Sequence, residues 1–314
     1  MKLVFFGTPA SAVPTLQAIV RAGHSLEFVV TRPDRPIGRS GRAQPTPVKR
    51  AAIDLGVEVL QPSSLREPAF RQRIVESSPD ALVVVAYGRM LGRSLREDWP
   101  FGSINVHFSL LPRYRGAAPV QWALANGETE TGVSTMRLSR AMDEGDVYLT
   151  RTVPILVGEH APSLQERLSV HGAELLVDTL AGLTSGSLDA TPQDHSRASY
   201  APILRREDGH VDPAGQAGEL VGKVRGFDPW PGVWLMRGGR RIRLVEAELY
   251  GGPPIEGSPA GTLARVGDSV VLVCGQGAAI LTAVQPEGKR AMPIQDALNG
   301  RQLAIGDQLE SATG

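Results

Sequence analysis

Asn105 and His107 are the side chains best suited to stabilising charge and moving protons, and both lie in the run Ser103-Ile-Asn-Val-His107. Because they are two positions apart, an extended strand directs both to the same face. An amide can donate to a developing oxyanion, and an imidazole can donate, accept or carry a proton near neutral pH. Asp143 is the candidate carboxylate for orienting the imidazole. An Asn-x-His pair at a strand end is also a common structural pair, so the spacing alone leaves both interpretations open.

The elements around this cluster alternate between short β-branched runs and stretches of helical periodicity. Such alternation predicts βαβ units on a Rossmann-like parallel sheet. Asn105 and His107 then stand where a fifth strand ends, and ligand sites in open α/β sheets lie beyond the carboxyl ends of strands. The earlier strands are predicted at Leu3–Phe6, Leu26–Val30, Glu58–Gln61 and Ala81–Ala86, with a helix near Val48–Leu55.

Two helix starts carry capping signals. Thr8 is predicted as the N-cap of the first helix, with Pro9 at its first position and Gly23 after its end. Ser163 and Glu166 have the spacing of a capping box, which predicts that a further helix opens there and closes the first domain.

The pattern changes in the second half of the chain. A polar stretch from about Ser187 to Arg206 lacks periodicity and is predicted to be an extended linker. The residues after it form short alternating runs separated by glycine, which favours a small antiparallel β-barrel, since closure removes exposed strand edges. We therefore predict domains at 1–188 and 207–314, joined by a linker at 189–206. The runs are Arg240–Leu249, Gly261–Val266, Ser269–Cys274 and Ala278–Ala283.

The composition excludes several classes of protein. Basic and acidic residues number 33 each, which excludes a uniformly basic nucleic-acid coat. The longest apolar run, Ala81 to Ala86, falls far short of the ~20 residues of a membrane span, and no signal-peptide segment precedes Gly7, so we expect a cytoplasmic protein. The single cysteine, Cys274, is expected in a buried strand. No P-loop, dinucleotide-binding or metal-ligand spacing occurs, so no metal site is predicted.

Several motifs together resemble the folate-dependent formyltransferase family. The match extends over essentially the whole chain, and one departure is Ser134, where the family usually has Thr. The motifs are Asn105, His107, Ser109-Leu-Leu-Pro112, Gly116 and Asp143, then Phe6-Gly-Thr-Pro9, Pro33-Asp-Arg-Pro36, Ala86-Tyr-Gly88, Glu207-Asp-Gly209 and Pro229-Trp-Pro-Gly232.

The resemblance implies a fold and a reaction. It implies a Rossmann-like formyltransferase domain followed by an OB-like barrel, and 10-formyltetrahydrofolate as the formyl donor. Asn105 and His107 would bind the tetrahedral oxyanion, while Asp143 would hold the imidazole and help to move the proton. The residues that would meet the folate are Ser109, Leu110, Leu111, Pro112, Arg89, Met90 and Leu91.

The formyl acceptor is a separate question. The resemblance is to the members that formylate methionine on initiator tRNA. A purine-pathway acceptor is disfavoured because Pro9 has no N–H with which to build a phosphate nest. An amino sugar linked to a nucleotide remains the nearest alternative, and a formylfolate hydrolase and a non-catalytic tRNA-binding protein are weaker ones.

Two basic segments favour tRNA. Residues 31–50 and residues 223–243 each hold six basic residues against one acidic residue, so overall neutrality conceals two local basic surfaces. Arg42 is expected to lie nearest the acceptor stem, and the enzyme is expected to be a monomer. The residues expected to contact tRNA are Arg35, Arg39, Arg42, Lys223 and Arg225.

Overall fold

The protein forms two compact units, each built from segments that are not contiguous in the chain. The computed structural model describes residues 1–36, 41 and 43–311. The first unit comprises residues 1–116, 131–153 and 165–200, and the second comprises 117–130, 154–164 and 201–314. The domain boundaries inferred from composition, at 188 and 207, stay a prediction. Within the described residues, no helix is both long and apolar enough to cross a membrane.

The strands and helices are as follows. The strands are β1 (Lys2–Gly7), β2 (Ser25–Val30), β3 (Arg35–Pro36), β4 (Ala43–Gln44), β5 (Val59–Leu60), β6 (Ala81–Val85), β7 (Ser103–His107), β8 (Arg115–Gly116), β9 (Glu130–Arg137), β10 (Val147–Pro154), β11 (Tyr200–Ala201), β12 (Val233–Arg237), β13 (Arg240–Leu249), β14 (Leu263–Val266), β15 (Ser269–Val273), β16 (Ala278–Pro286) and β17 (Met292–Pro293). The helices are α1 (Val13–Arg21), α2 (Pro47–Asp54), α3 (Pro68–Ser77), α4 (Arg93–Glu97), α5 (Pro119–Ala125), α6 (Ala161–Ser185), α7 (Ala217–Gly226) and α8 (Ile294–Asn299).

A seven-stranded sheet organises the first unit, in the order β10-β9-β7-β6-β1-β2-β5. Strand β1 pairs in parallel with β2 and β6, β6 pairs in parallel with β7, and β9 runs antiparallel to β7. The predicted Rossmann-like, mostly parallel sheet is therefore confirmed. Every residue of β6 and β7 is buried, which explains the continuous apolar sequence of β6.

Aromatic packing behind the sheet fixes the loop that follows β6. Phe6 lies in a buried cluster with Phe70 and Tyr87, and its ring meets theirs edge-to-face at centroid distances of 6.4 Å and 5.3 Å. Tyr87 is 2% exposed. The ring of Tyr87 therefore serves the core and anchors the chain where it leaves β6.

Both predicted helix starts are wrong. Ala10–Ala12 forms a 3-10 turn and α1 begins at Val13, while the Thr8 hydroxyl donates to the backbone oxygen of Tyr87 at 3.3 Å. Helix α6 begins at Ala161, two residues before Ser163, whose hydroxyl donates to His160 O at 2.9 Å. Thr8 lies before the 3-10 turn and Ser163 lies inside the first turn of α6, so neither residue stands at the N-cap position.

The second unit contains an antiparallel sheet in the order β12-β13-β16-β15-β14, with β17 paired to β16. The predicted antiparallel C-terminal sheet is confirmed, while its OB-like character stays a prediction. Residues near the end of the chain connect the two outer strands. Glu310 exchanges backbone hydrogen bonds of 2.8 Å with Met236 on β12, and Asp307 O accepts from Leu263 N on β14 at 2.9 Å. These bonds cover strand edges that would otherwise be unpaired.

Helix α7 packs closely against α5 within this unit. A Cβ at Gly222 would lie 2.6 Å from the backbone oxygen of Ala125, so the helices can approach only because position 222 lacks a side chain. Trp122 of α5 meets Phe227 edge-to-face at 5.3 Å. Cys274 is buried, as predicted, but it lies just after the end of β15 and not in a strand. Burial raises the pKa of its thiol to about 11.

Candidate active site

Asn105 and His107 lie at the carboxyl end of β7, in the middle of the first unit's sheet. Asn105 pairs with Val84 of β6 and Met136 of β9, and His107 pairs with Ser134 of β9. Their exposed fractions are 9% and 6%. Because they alternate on one strand, both side chains point to the same face of the sheet. The sheet thus supplies an amide and an imidazole in a largely desolvated position.

The His107 ring lies between two oxygen acceptors. Its Nε2 is 3.0 Å from Tyr114 O, and its Nδ1 is 3.8 Å from Asp143 Oδ2. A carbonyl oxygen can only accept, so Nε2 carries a proton in this arrangement. In the neutral ring, Nδ1 then has a free lone pair and faces the carboxylate. The site can therefore take up a proton at Nδ1 and balance the resulting charge with Asp143.

Asp143 reaches this position through an unusual backbone conformation. Its φ is +56°, a left-handed value that costs a residue with a side chain roughly 1–3 kcal/mol. Its Oδ2 accepts from the backbone N–H of Gly116 at 2.8 Å. Two further non-glycine residues near the site, Ala86 and Tyr114, have φ values of +47° and +57°. Such conformations persist only where surrounding contacts hold them, which makes this end of the sheet a candidate functional site.

Arg115 and Gln193 support the Asp143 turn, and the sequence analysis missed both. Arg115 is 1% exposed and donates to Gln193 Oε1 from Nε at 3.1 Å and from Nη2 at 2.7 Å. Gln193 Nε2 donates to the backbone oxygens of Asp143 and Gly145 at 2.8 Å and 2.7 Å. Gln193 lies in the polar stretch interpreted as a linker, where its neighbours give no sign of burial. The only sign of this support in the sequence is the position of Arg115, directly before Gly116 of the family motif.

The Ser109–Pro112 loop, predicted to contact folate, is held from beneath by Ser134. The Ser134 hydroxyl donates to Ser109 O at 2.7 Å and accepts from Leu111 N at 3.1 Å. The buried Ser109 hydroxyl donates to Arg113 O at 2.6 Å. Ser134 is a position at which the sequence departs from the family pattern, and the hydroxyl that it shares with Thr is the group that makes these hydrogen bonds. The assignment of Ser109, Leu110, Leu111 and Pro112 to folate stays a prediction.

The segment after Tyr87 places its three predicted folate residues differently. Arg89 Nη1 donates to Pro62 O at 3.2 Å, Met90 is 58% exposed, and Leu91 is buried with the core. Burial also raises the pKa of the Tyr87 hydroxyl. Met90 is thus the side chain of this segment that is most accessible to a ligand.

Gln61 joins the two ends of the basic segment 31–50 through hydrogen bonds, much as Gln193 joins Arg115 to the Asp143 turn. Lys49 Nζ donates to Asp34 Oδ2 at 2.6 Å and to Gln61 Oε1 at 2.7 Å. Gln61 Nε2 donates to Arg32 O at 2.8 Å and to Asp34 Oδ1 at 2.6 Å. The hydrogen bonds from Lys49 and Gln61 lower the pKa of Asp34. Lys49, which the charge count treated as available to phosphates, is therefore engaged at the base of the segment.

Of the three residues of this segment that are predicted to contact tRNA, the structure describes Arg35. Arg35 is exposed on β3, which pairs with β4 to form a short hairpin. Arg39 and Arg42 lie outside the described residues. The contacts of all three with tRNA stay predictions.

Many cations of the second basic segment already have partners. Lys223 forms an ion pair of 2.6 Å with Glu219, Arg237 one of 2.6 Å with Asp307, and Arg243 one of 2.9 Å with Asp228. The Arg241 guanidinium lies 3.9 Å from the centre of the Trp234 ring, and burial lowers the pKa of Arg225. The charge count therefore overstated how much positive charge this segment presents. The tRNA contacts of Lys223 and Arg225 stay predictions. A cleft of about 1080 Å³ beside these two residues is also lined by Glu207, Asp208, Glu219 and Glu248.

Known proteins resemble this chain along its whole length. The formyl transferase family matches residues 1–180, and the formyl transferase C-terminal domain matches residues 203–302. A methionyl-tRNA formyltransferase of Acidobacterium capsulatum is 44% identical over 311 residues, which cover 97% of this chain and 98% of the relative. One of Solibacter usitatus is 43% identical over 312 residues, which cover 98% of each.

A solved structure shares the fold at much lower identity. An N-formyltransferase from Helicobacter canadensis, in complex with folinic acid and dTDP-3-aminofucose, gives a TM-score of 0.65 and is 16% identical. The likeness covers 91% of this chain and 99% of that chain. At this identity the likeness concerns the fold alone.

Proposed function

The chain belongs to the formyl transferase family, and from this premise we propose that Asn105, His107 and Asp143 catalyse its reaction. The enzyme is a methionyl-tRNA formyltransferase. It transfers the formyl group of 10-formyltetrahydrofolate to methionyl-tRNA. The observation that supports the catalytic assignment is the placement of a strand-end amide, an imidazole and a carboxylate together, with His107 Nδ1 3.8 Å from Asp143.

The chemistry is acyl transfer between two nitrogens. A C–N bond forms between the methionine amine and the formyl carbon, and the bond from that carbon to the folate nitrogen breaks. A tetrahedral oxyanion develops between these events, and a proton must pass from the attacking nitrogen to the leaving one. Asn105 donates to the oxyanion through its amide, within a desolvated site where such a bond is strongest.

His107 and Asp143 account for the proton. His107 Nδ1 receives the proton of the attacking amine, because Nε2 already carries a hydrogen toward Tyr114 O. Asp143 balances the imidazolium charge and keeps the ring oriented, and the proton then passes to the leaving nitrogen. In its protonated state the ring also places a positive charge beside the oxyanion, which stabilises it electrostatically. One residue thereby serves both requirements in sequence.

The folate donor fits the loop geometry. Ser134 holds the backbone of Ser109–Pro112 in a fixed shape beside the catalytic residues, as a pre-formed site requires. We assign recognition of the donor to Ser109, Leu110, Leu111 and Pro112 on one side, and to Arg89, Met90 and Leu91 on the other. Met90 offers an accessible apolar surface to the ring system of the folate.

We propose that the tRNA acceptor contacts both basic segments of the chain. We assign initiator tRNA contacts to Arg35, Arg39 and Arg42 in the first basic segment, and to Lys223 and Arg225 in the second. The sugar-nucleotide acceptor is not favoured, because the relatives that match the chain at 43–44% identity are methionyl-tRNA formyltransferases, whereas the sugar enzyme is 16% identical. We further propose that the enzyme acts as a monomer in the cytoplasm.

Single substitutions test the catalytic assignment. We expect Asn105→Ala, His107→Ala and Asp143→Ala each to lower kcat about 100- to 1000-fold, the usual cost of removing an oxyanion or proton-transfer group. The measurement is the initial rate of methionyl-tRNA formylation at saturating folate donor. Asp54→Asn, which changes an exposed carboxylate at the end of α2, is the matched control and should retain the parental rate. A near-normal rate for any of the three alanine variants would refute its role.

A substrate comparison tests the acceptor. With one folate donor, we expect rapid formylation of initiator methionyl-tRNA, slow formylation of elongator methionyl-tRNA and none of an amino sugar linked to a nucleotide. Formylation of the sugar at a comparable rate would overturn the assignment of the acceptor. Release of formate without any acceptor would indicate a hydrolase instead.

A further inference from the structure

The Asp143 turn is held by a residue far away in the sequence. Gln193 donates one hydrogen bond to the backbone oxygen of Asp143 and another to that of Gly145, so its amide closes the turn from outside. Gly145 also packs closely against Arg137, since a Cβ at position 145 would overlap the backbone oxygen of Arg137. With Gly116 N–H on its carboxylate, Asp143 is therefore fixed on both its backbone and its side chain.

Arg115 determines which way the Gln193 amide faces. A guanidinium has only donors, so the oxygen of Gln193 must face Arg115, and its NH₂ group must then face the turn. The bond of 2.7 Å from Nη2 is short and charge-assisted. Arg115 also lies 3.3 Å from His195 Nδ1 and 3.5 Å from Glu144 Oε1, which together satisfy its buried charge.

We propose that Gln193, oriented by Arg115, is a positioning residue for formyl transfer. It holds the left-handed turn that keeps the Asp143 carboxylate beside His107 Nδ1. The inference rests on the proposed function, since it acts through the role assigned to Asp143. It assigns to Gln193 no contact with either substrate.

Gln193→Glu separates positioning from mere structural support. The new carboxylate still accepts from Arg115, so the buried charge keeps its partner, but it has no hydrogens to donate to the turn. We expect kcat to fall about 10- to 100-fold, as small misplacements of catalytic groups do. The KM values for folate and methionyl-tRNA should stay within about twofold of the parental values, because the residues assigned to bind the substrates are unchanged.

A second variant tests whether Gln193 serves only as a partner of Arg115. Gln193→Met has a similar volume but neither accepts from Arg115 nor donates to the turn. If positioning is correct, the Glu and Met variants lose kcat to a similar extent, although only the Met variant leaves Arg115 short of an acceptor. If the Met variant alone loses activity, Gln193 serves only Arg115 and the inference is overturned. His195→Ala removes another contact of Arg115 without touching the turn, and it should keep the parental kcat within about threefold.

A double-mutant cycle tests the route through Asp143. In an Asp143→Ala background, Gln193→Glu should cause no further loss of kcat, because the group that it positions is absent. An additional tenfold loss would overturn the inference. Full activity of Asp143→Ala alone would refute the proposed function of Asp143 and this inference with it. A large loss for Asp143→Ala with a normal rate for Gln193→Glu would refute positioning only.

Discussion

Gln61 and Gln193 perform the same local task at two places in the first unit. Each accepts from a cation through Oε1, Gln61 from Lys49 and Gln193 from Arg115. Each then donates twice through Nε2 to a segment that carries predicted functional residues. The two clusters differ in burial. Arg115 is 1% exposed, whereas the side chains of Lys49 and Asp34 are 25% and 26% exposed.

This difference in burial indicates that the Arg115 cluster and the Lys49 cluster differ in rigidity. A buried charge that loses its partner is costly, so the Arg115 cluster permits one arrangement of the Asp143 turn and resists others. The Lys49 cluster is partly screened by water, and breaking it costs little. The same hydrogen-bonding scheme therefore gives a rigid support for the proposed catalytic residues and a weaker anchor for the segment proposed to contact tRNA.

The largest effect is expected from removing the buried cation. Arg115→Met leaves Gln193 Oε1 buried without a donor, and we expect the first unit to lose roughly 2–4 kcal/mol of its free energy of unfolding. Activity should fall with it, because the Gln193 amide is no longer oriented. Native-state hydrogen exchange of peptides from β7 and from the Asp143 turn measures this loss. An unchanged exchange rate in these peptides would show that Arg115 is not the support of the turn.

A smaller effect is expected at Gln61, in the less buried of the two clusters. Gln61→Leu removes the contacts to Lys49, Arg32 and Asp34, and we expect a loss of about 1 kcal/mol, measured by the same exchange method. The KM for methionyl-tRNA should rise a few-fold while kcat and the KM for folate stay constant, because segment 31–50 loses its anchor. A fall in kcat with an unchanged KM for tRNA would remove the distinction between the two clusters.

The smallest effect is expected from Asp34→Asn, and it should depend on pH. The folded-state pKa of Asp34 is lowered, so its ionised form stabilises the fold above the unfolded-state pKa, and this contribution is lost as pH falls through the folded-state pKa. At pH 7 we expect a loss of about 0.5–1 kcal/mol. The difference in Tm between parent and variant should close below the lowered pKa, and it should narrow in 1 M salt. A difference independent of pH would mean that the ion pair contributes nothing.

The sequence was sufficient where a pattern is local and repeats. Alternation on a strand places Asn105 and His107 on one face, and the polar and apolar residues of Arg240–Leu249 predict a strand whose bounds the structure reproduces. The parallel sheet follows from the same periodicity. These features depend on residues that are close together in the chain, so the sequence pattern contains the information that is needed to predict them.

The remaining features depend on distant partners. Gln193 lies 78 positions from Arg115 and 50 from Asp143 in the chain, and nothing within the polar stretch indicates either contact. Thr8 is not an N-cap because the chain forms a 3-10 turn at Ala10–Ala12 before α1 begins at Val13. Its hydroxyl donates instead to Tyr87 O in the loop after β6. Lys49 was counted among the free cations because its pairing with Asp34 and Gln61 requires α2 to fold back over the segment.

The close packing of α5 against α7 constrains when the second unit can form during synthesis. The two helices meet through Gly222, yet they are separated by roughly a hundred residues, a long-range contact of the kind that slows folding. Two segments of the first unit, residues 131–153 and 165–200, are encoded between them. A nascent chain must therefore hold Pro119–Ala125 without its partner until α7 emerges from the ribosome, and a fragment beginning at 207 would expose the apolar face of α7 that Trp122 and Ala125 cover. Cutting this chain at a boundary chosen from composition would divide a single core.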